Sequence, residues 1–88
     1  MSDVVRLKPG ALEWREVEGE LIALDVQSST YFAVNRTAAS IWPALVEGST
    51  RTDLIESLTG RFGIEHDVAA RDLDAFLEQM SERSLLED

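Results

Sequence analysis

The hydrophobic periodicity of this chain changes once, near Asn35, and that change limits the folds available to it. Before Asn35, β-branched and aromatic residues lie between turn signals, which is typical of short strands. After it, apolar residues recur every three or four positions, which is typical of amphipathic helices. A chain of 88 residues has room for one hydrophobic core, so we expect a single α+β domain over residues 1–88.

Three strands are predicted in the first part of the chain, over residues 12–17, 20–26 and 30–34. Glu18-Gly19 joins the first two, because the glycine allows the positive φ of a tight turn, and the polar segment 27–29 joins the last two. Short turns between successive strands predict a three-stranded antiparallel meander. A short extended segment over residues 4–8 precedes it and is stopped by Pro9-Gly10.

The first helix follows directly, and Pro43 leaves its start open. With Thr37 as the N-cap, the proline lies inside the helix, removes a hydrogen bond to the Ala39 carbonyl and should distort the helix. With Ser40 as the N-cap, the same proline falls in the first turn, where it costs little. We favour the longer, distorted helix, ending at residues 47–49.

Two further helices complete the predicted domain. Thr50 or Thr52 caps the second helix, and Gly63 ends it. Asp67 opens the third, where its carboxylate lies beside the exposed N–H groups, and Leu85-Leu86 docks the tail. The predicted fold class is therefore α+β, a winged helix-turn-helix in which a three-stranded antiparallel meander precedes three helices. A fold of this kind does not by itself give a function.

The charge balance narrows the class of partner. Seventeen acidic residues against eight Lys and Arg give a formal net charge of −9. Because DNA carries about one negative charge per 1.7 Å, we expect no nucleic-acid partner. The longest apolar runs have four residues, and the acidic start at residues 1–3 lacks the features of a signal peptide. We therefore expect a cytoplasmic protein with no membrane partner.

No group of residues has the pattern of a catalytic or metal site. The chain has no cysteine, and its one histidine, His66, is expected to be exposed in a loop. The serines lack the glycine-rich elbow of a serine nucleophile. Asp74 and Glu78 are four positions apart and share a helix face, which we expect to be solvated. We expect no enzyme activity, no catalytic residue, no cofactor and no metal.

The apolar segment 31–34 is the most informative for binding. In a simple meander it forms an edge strand, with one side of its backbone unpaired. Flat apolar edges aggregate unless they are covered or used. Two alternatives stay open on the residues alone: the last helix covers this edge, or a peptide adds to it as a fourth strand.

Several short motifs occur in a distinctive order along the chain: Leu7-Lys8-Pro9-Gly10, residues 14–21, Leu24-Asp25, residues 31–38, Ile41-Trp42, residues 72–77 and Leu85-Leu86. In this order and spacing, the chain resembles the PqqD-like family, the RiPP recognition elements, from about Leu7 to Leu86. The strand-to-helix block with its Ile-Trp pair is the most distinctive part. Pro43, after that pair, departs from the usual helix-forming residue of the family.

The resemblance implies a small winged-helix domain that binds the leader of a ribosomally made precursor peptide. The leader adds antiparallel to the third strand, in the groove between that strand and the third helix. Carried over to this sequence, the leader-binding residues are Thr30, Tyr31, Phe32, Ala33 and Val34 on the strand, and Asp72, Leu73, Ala75, Phe76 and Gln79 on the helix. Phe76 anchors an apolar leader side chain, and Asp72 takes a basic residue or a tyrosine hydroxyl. Leu73 and Phe76 have a competing role in the core.

The resemblance also implies partners. The chain is most similar to the stand-alone element of lasso-peptide pathways, where a transglutaminase-like leader peptidase and an ATP-dependent macrocyclase act on the precursor. One alternative is a PqqD-type peptide chaperone, which presents a precursor to a radical enzyme in quinone-cofactor synthesis. Another alternative is an acidic winged-helix DNA-binding regulator. We expect a monomer, with pairing of two copies through the edge strand as the alternative.

Overall fold

The centre of the fold is a three-stranded antiparallel sheet whose strands are neighbours in chain order. The computed structural model describes residues 4–87, so the acidic start at residues 1–3 lies outside the described part. The elements in chain order are β1 (Val4–Val5), β2 (Leu12–Val17), β3 (Glu20–Asp25), β4 (Thr30–Val34), α1 (Arg36–Glu47), β5 (Ser49–Thr50), α2 (Arg51–Phe62) and α3 (His66–Glu82). This architecture confirms the predicted α+β winged helix-turn-helix.

Asp25 ends β3 one residue earlier than predicted, so Val26 lies outside the strand. The Asp25 side chain is buried, although aspartate side chains usually lie at the surface. Its Oδ1 accepts hydrogen bonds from the backbone N–H groups of Gln27 (3.2 Å) and Ser28 (3.4 Å). An aspartate that accepts from its own backbone two or three residues on forms a turn, and this turn directs the chain from β3 into β4.

The start of α1 differs from the prediction that Thr37 is the N-cap. Asn35 is the N-cap, and its Oδ1 accepts a hydrogen bond of 2.8 Å from the Ala38 N–H. Asparagine is among the best N-cap residues because its short side chain reaches the free N–H groups of the first turn. Ser40 lies inside the helix, where its hydroxyl donates to the Thr37 carbonyl. The helix continues through Pro43, as the favoured longer form requires.

The other two helices begin and end close to the predicted positions. Thr50, one of the two candidates, caps α2, since its hydroxyl oxygen accepts from the Asp53 N–H at 3.1 Å. Gly63 ends α2 in the left-handed conformation, with a φ of 64°. The third helix begins at His66, so Asp67 lies in its first turn and does not precede it.

A second, two-stranded sheet holds the start of the chain, and it was not predicted. Here β1 pairs antiparallel with β5, with Val4 opposite Thr50. The end of the chain lies against the same segment: Leu7 and Leu86 form an antiparallel bridge, and Lys8 N–H donates to the Leu85 carbonyl at 2.8 Å. The predicted docking of the Leu85-Leu86 tail is confirmed, because Leu85 is almost fully buried.

The helices and the inner face of the sheet enclose one core. Leu21 and Ala23 of β3 are buried, whereas Ile22 and Leu24, on the other face of the strand, are half-buried. Trp42 of α1 is buried, and its ring packs edge-to-face with the half-exposed Trp14 ring of β2, with 5.7 Å between centroids. This contact fastens α1 to the strand farthest from β4.

Candidate functional site

The outer side of β4 carries no paired strand among residues 4–87. The strand pairs with β3 through a register that sets Ala33 opposite Ile22 and Phe32 opposite Ala23. Its other side is the edge of the sheet. Backbone N–H and C=O groups on such an edge are free to pair with another extended chain.

A cavity of about 210 Å³ lies between this edge and the second half of α3. It is lined by Phe32, Ala33, Val34, Asn35, Phe76, Gln79, Met80 and Arg83. The helix therefore does not close the edge of β4 completely. Between strand and helix there is a space with apolar walls and polar ends.

A second cavity, of about 330 Å³, continues from the first between α1 and α3. Asn35, Phe76 and Gln79 line both cavities. The other residues around the second cavity are Thr37, Ala38, Ile41, Leu58, Asp72, Leu73 and Ala75. We call the two cavities together the β4–α3 groove. All five helix residues carried over from the resemblance line this groove.

Leu73 and Phe76 differ in burial, and this difference indicates which of them belongs mainly to the core and which faces the groove. Leu73 is 2% exposed and belongs to the core. Phe76 is only partly buried, packs against the core from its surface and lines both cavities of the groove. Its ring is therefore the apolar side chain of α3 that a molecule in the groove can reach most directly.

The two aspartates of α3 have different surroundings. Asp74 accepts two hydrogen bonds of 2.8 Å from the guanidinium of Arg51 in α2. These bonds hold the pKa of the Asp74 carboxyl below its ordinary value. Asp72 is exposed, lines the groove and forms no ion pair with another residue of the described range. Of these two aspartates, Asp72 is therefore the one that can accept a hydrogen bond from a molecule in the groove.

Arg83 stands at the opposite end of the groove from Asp72. Its guanidinium carbon lies 5.2 Å from the centre of the Phe32 ring, a cation–π contact. The sequence prediction missed Arg83, Met80 and Asn35 as groove residues. Arg83 is the C-cap residue directly after the end of α3, so helical spacing alone does not assign it to the groove.

Two of the predicted strand residues, Tyr31 and Thr30, do not line the groove. Tyr31 is 70% exposed and lines a depression of about 560 Å³ on the outer face of the sheet. The other residues of this depression are Glu13, Trp14, Arg15, Val17, Ile22 and Leu24. Thr30 lines a separate shallow depression beside Arg83. At the edge of β4, Tyr31 and Thr30 offer backbone groups, and their side chains lie outside the groove.

The remaining candidates for chemistry lie outside the groove. His66 is exposed at the start of α3, with its Nδ1 3.8 Å from a carboxylate oxygen of the exposed Asp67. Across residues 4–87, no three histidine or carboxylate side chains come close enough together to hold a metal ion. In the same range, no helix has the length and apolar character needed to cross a membrane.

Two solved structures share this fold and were determined with a peptide bound. One is described as TbiB1 in complex with the TbiA(beta) leader peptide; it is 24% identical, has a TM-score of 0.81, and the match covers 93% of this chain and 94% of that one. The other is described as lasso peptide synthetase B1 complexed with the leader peptide; it is 27% identical, has a TM-score of 0.80, and the match covers 96% and 98% of the two chains. A comparison with curated proteins gives no match.

The family match over most of the chain and the shared fold make this chain a PqqD-like RiPP recognition element, in which an open edge strand faces a helix across a groove. The family model described as coenzyme PQQ synthesis protein D (PqqD) matches residues 20–86, most of the chain. This chain therefore belongs to the PqqD family.

Proposed function

We propose that this chain is a non-catalytic recognition module that binds the leader of a ribosomally made precursor peptide. One observation carries the proposal: within residues 4–87 the outer edge of β4 is unpaired, and it opens onto a partly apolar groove beside α3. Two proteins of the same fold were solved with leader peptides, which supports a peptide as the occupant.

The leader binds by adding a fourth strand to the sheet, antiparallel to β4. Hydrogen bonds along the backbone supply affinity that does not depend on the leader sequence, and pockets for alternate side chains supply specificity. Side chains that point inward enter the groove, where the ring of Phe76 contacts an apolar one. Side chains that point outward join the outer face of the sheet next to Tyr31.

The bound leader is then presented to enzymes on other chains. In this proposal these are a leader peptidase and a macrocyclase of a lasso-peptide pathway, and the alternative is a radical enzyme of quinone-cofactor synthesis. The outer face of the sheet supports presentation, since a leader on the edge of β4 leaves this face open. Val17 and Tyr31 are among its exposed apolar side chains.

The test is fluorescence anisotropy with a labelled leader taken from the small precursor frame encoded nearest this gene. We expect a saturable curve with a Kd of about 1 µM or tighter, which corresponds to about −8 kcal/mol or better. A scrambled peptide of the same composition should not bind.

A second set of peptides tests the binding mode. Each peptide carries one N-methylated backbone amide, which removes one hydrogen-bond donor. In an added strand only every second amide faces β4, so affinity should fall at alternate positions. Tight binding with no alternation would contradict strand addition, and the absence of binding to the folded protein would contradict leader recognition.

A further inference from the structure

We propose that Arg83 pairs with an acidic side chain of the bound peptide and, together with Asp72, sets the register of the added strand. This inference rests on the proposed function, because it concerns the occupant of the β4–α3 groove. It adds a specificity-determining residue outside the set implied by the family resemblance. It also predicts a charge pattern in the peptide.

The positions of the two charges follow from the directions of β4 and α3. Asp72 lines the cavity near Asn35, just after the end of β4, whereas the Arg83 guanidinium lies over Phe32, near its start. The helix and the strand therefore run in opposite directions along the groove. A peptide antiparallel to β4 enters beside Asp72 and leaves beside Arg83.

The spacing of the two charges limits the peptide pattern. Asp72 and Arg83 are eleven positions apart, and Arg83 directly follows the last residue of α3, so the rise along the helix between them is about 16 Å at 1.5 Å per residue. An extended peptide covers that distance in about five residues. Two side chains of an extended peptide point to the same face only when they are an even number of positions apart. The Arg83 guanidinium lies back over Phe32, which shortens the distance that the peptide has to cover. The best match is a peptide position opposite Phe32, four residues after the one at Asp72.

Arg83 has no ion-pair partner within residues 4–87, which favours an acidic peptide side chain at the position opposite Phe32. No carboxylate within residues 4–87 forms an ion pair with Arg83, although the whole sequence carries 17 acidic residues. Phe32 holds the guanidinium at the mouth of the groove without neutralising it. An acidic peptide side chain would meet this positive charge in a surface that otherwise repels acidic peptides.

The test uses selection from a random library, so it does not depend on knowing the natural leader. Random twelve-residue peptides are selected by mRNA display against the full chain and against Arg83→Glu, Arg83→Gln and Arg61→Glu. Arg61 is exposed in α2 and lines neither cavity of the groove, so Arg61→Glu is a matched change of charge. Circular dichroism and thermal unfolding establish that each variant is folded.

We expect the wild-type selection to enrich Asp or Glu at one position, four residues after an enriched basic or hydroxyl-bearing residue. Arg83→Gln should remove the acidic preference, Arg83→Glu should change it to Lys or Arg, and Arg61→Glu should leave it unchanged. In anisotropy with the consensus peptide, replacing its acidic residue by the amide should weaken binding about two- to fivefold in wild type. The same replacement should have no effect in Arg83→Gln.

The other outcomes separate the two proposals. Enriched peptides whose affinity alternates on N-methylation, but without an acidic preference that follows Arg83, would overturn the role of Arg83 and leave strand addition intact. Failure of the folded wild-type chain to enrich any sequence would overturn peptide recognition and the role of Arg83 together.

Discussion

The guanidinium of Arg51 and the carboxylate of Asp74 form a two-pronged ion pair, with both hydrogen bonds 2.8 Å long. The pair joins the first residue of α2 to the middle of α3. It therefore ties the helix that forms the wall of the groove to its neighbour. Both side chains are about half-exposed, so salt weakens the attraction.

The Arg51–Asp74 pair predicts a pH-dependent contribution to stability. The pKa of Asp74 is lower in the folded chain than in the unfolded one, because Arg51 donates hydrogen bonds to the ionised form. The contribution is therefore complete above the ordinary pKa of aspartate, near 4, and is lost as the pH falls through the folded-state value. Asp74→Asn should lower Tm at neutral pH, and the deficit should shrink in acid.

The matched control for this pair is Asp72→Asn, on the same helix but without an ion-pair partner in the described range. Thermal unfolding of the three proteins at neutral and acid pH, in low and high salt, is the measurement. A deficit for Asp74→Asn that is equally large in acid would show that the ion pair is not its cause.

Phe76 and Leu73 should respond differently to truncation. Phe76→Ala should weaken leader binding by about 1–3 kcal/mol, because the ring lines the groove and is only partly buried. Leu73→Ala should lower the free energy of unfolding by about 2–5 kcal/mol, because that side chain is in the core. Anisotropy and denaturant unfolding of both variants give the two quantities. If Phe76→Ala loses stability but binds with unchanged affinity, its ring belongs to the core alone.

Hydrogen exchange should reveal the added strand at β4. The amides that point to β3 are already bonded, so leader binding should slow exchange only at alternate residues of β4. The other edge strand, β2, is the internal control and should not change. NMR-detected exchange with and without the leader measures this. Equal protection of all β4 amides would indicate general stabilisation and not strand addition.

Asn35 should matter for both stability and binding. Asn35→Ala removes the acceptor for the Ala38 N–H and should lower the free energy of unfolding by about 1 kcal/mol. Because Asn35 also lines both cavities, the same change should weaken leader binding. Asn35→Asp keeps an acceptor at the cap and should retain most of the stability. Loss of stability in Asn35→Asp as large as in Asn35→Ala would contradict the role as a cap.

The local pattern was sufficient to predict most of the fold. Alternation gave the strands of the meander, and the recurrence of Leu54, Ile55 and Leu58, all buried, marked α2. The predicted N-cap of α1 was wrong because Thr37 and Asn35 are both residue types that cap helices well, and only the folded backbone decides between them. The pairing of β1 with β5 joins two-residue strands far apart in sequence, and such short segments carry no periodic signal.

The candidate site was predictable where helical spacing alone determines a face. Asp72, Phe76 and Gln79 follow one another at intervals of three or four and share the groove wall. The position of Arg83 over Phe32 depends on how α3 crosses the sheet, which no local pattern specifies. Strand alternation does predict that the Tyr31 side chain points outward, because the side chain of its neighbour Phe32 points inward.

The two tryptophans make the chain its own optical reporter. One indole is 3% exposed and the other 44% exposed, and their rings meet at an interplanar angle of 73°. Acrylamide should therefore quench the emission of Trp14 well before that of Trp42. The fixed contact between the rings should give a near-ultraviolet circular dichroism band that disappears when α1 separates from β2. Loss of tertiary packing can thus be followed without a label, in the same cuvette as the leader titration.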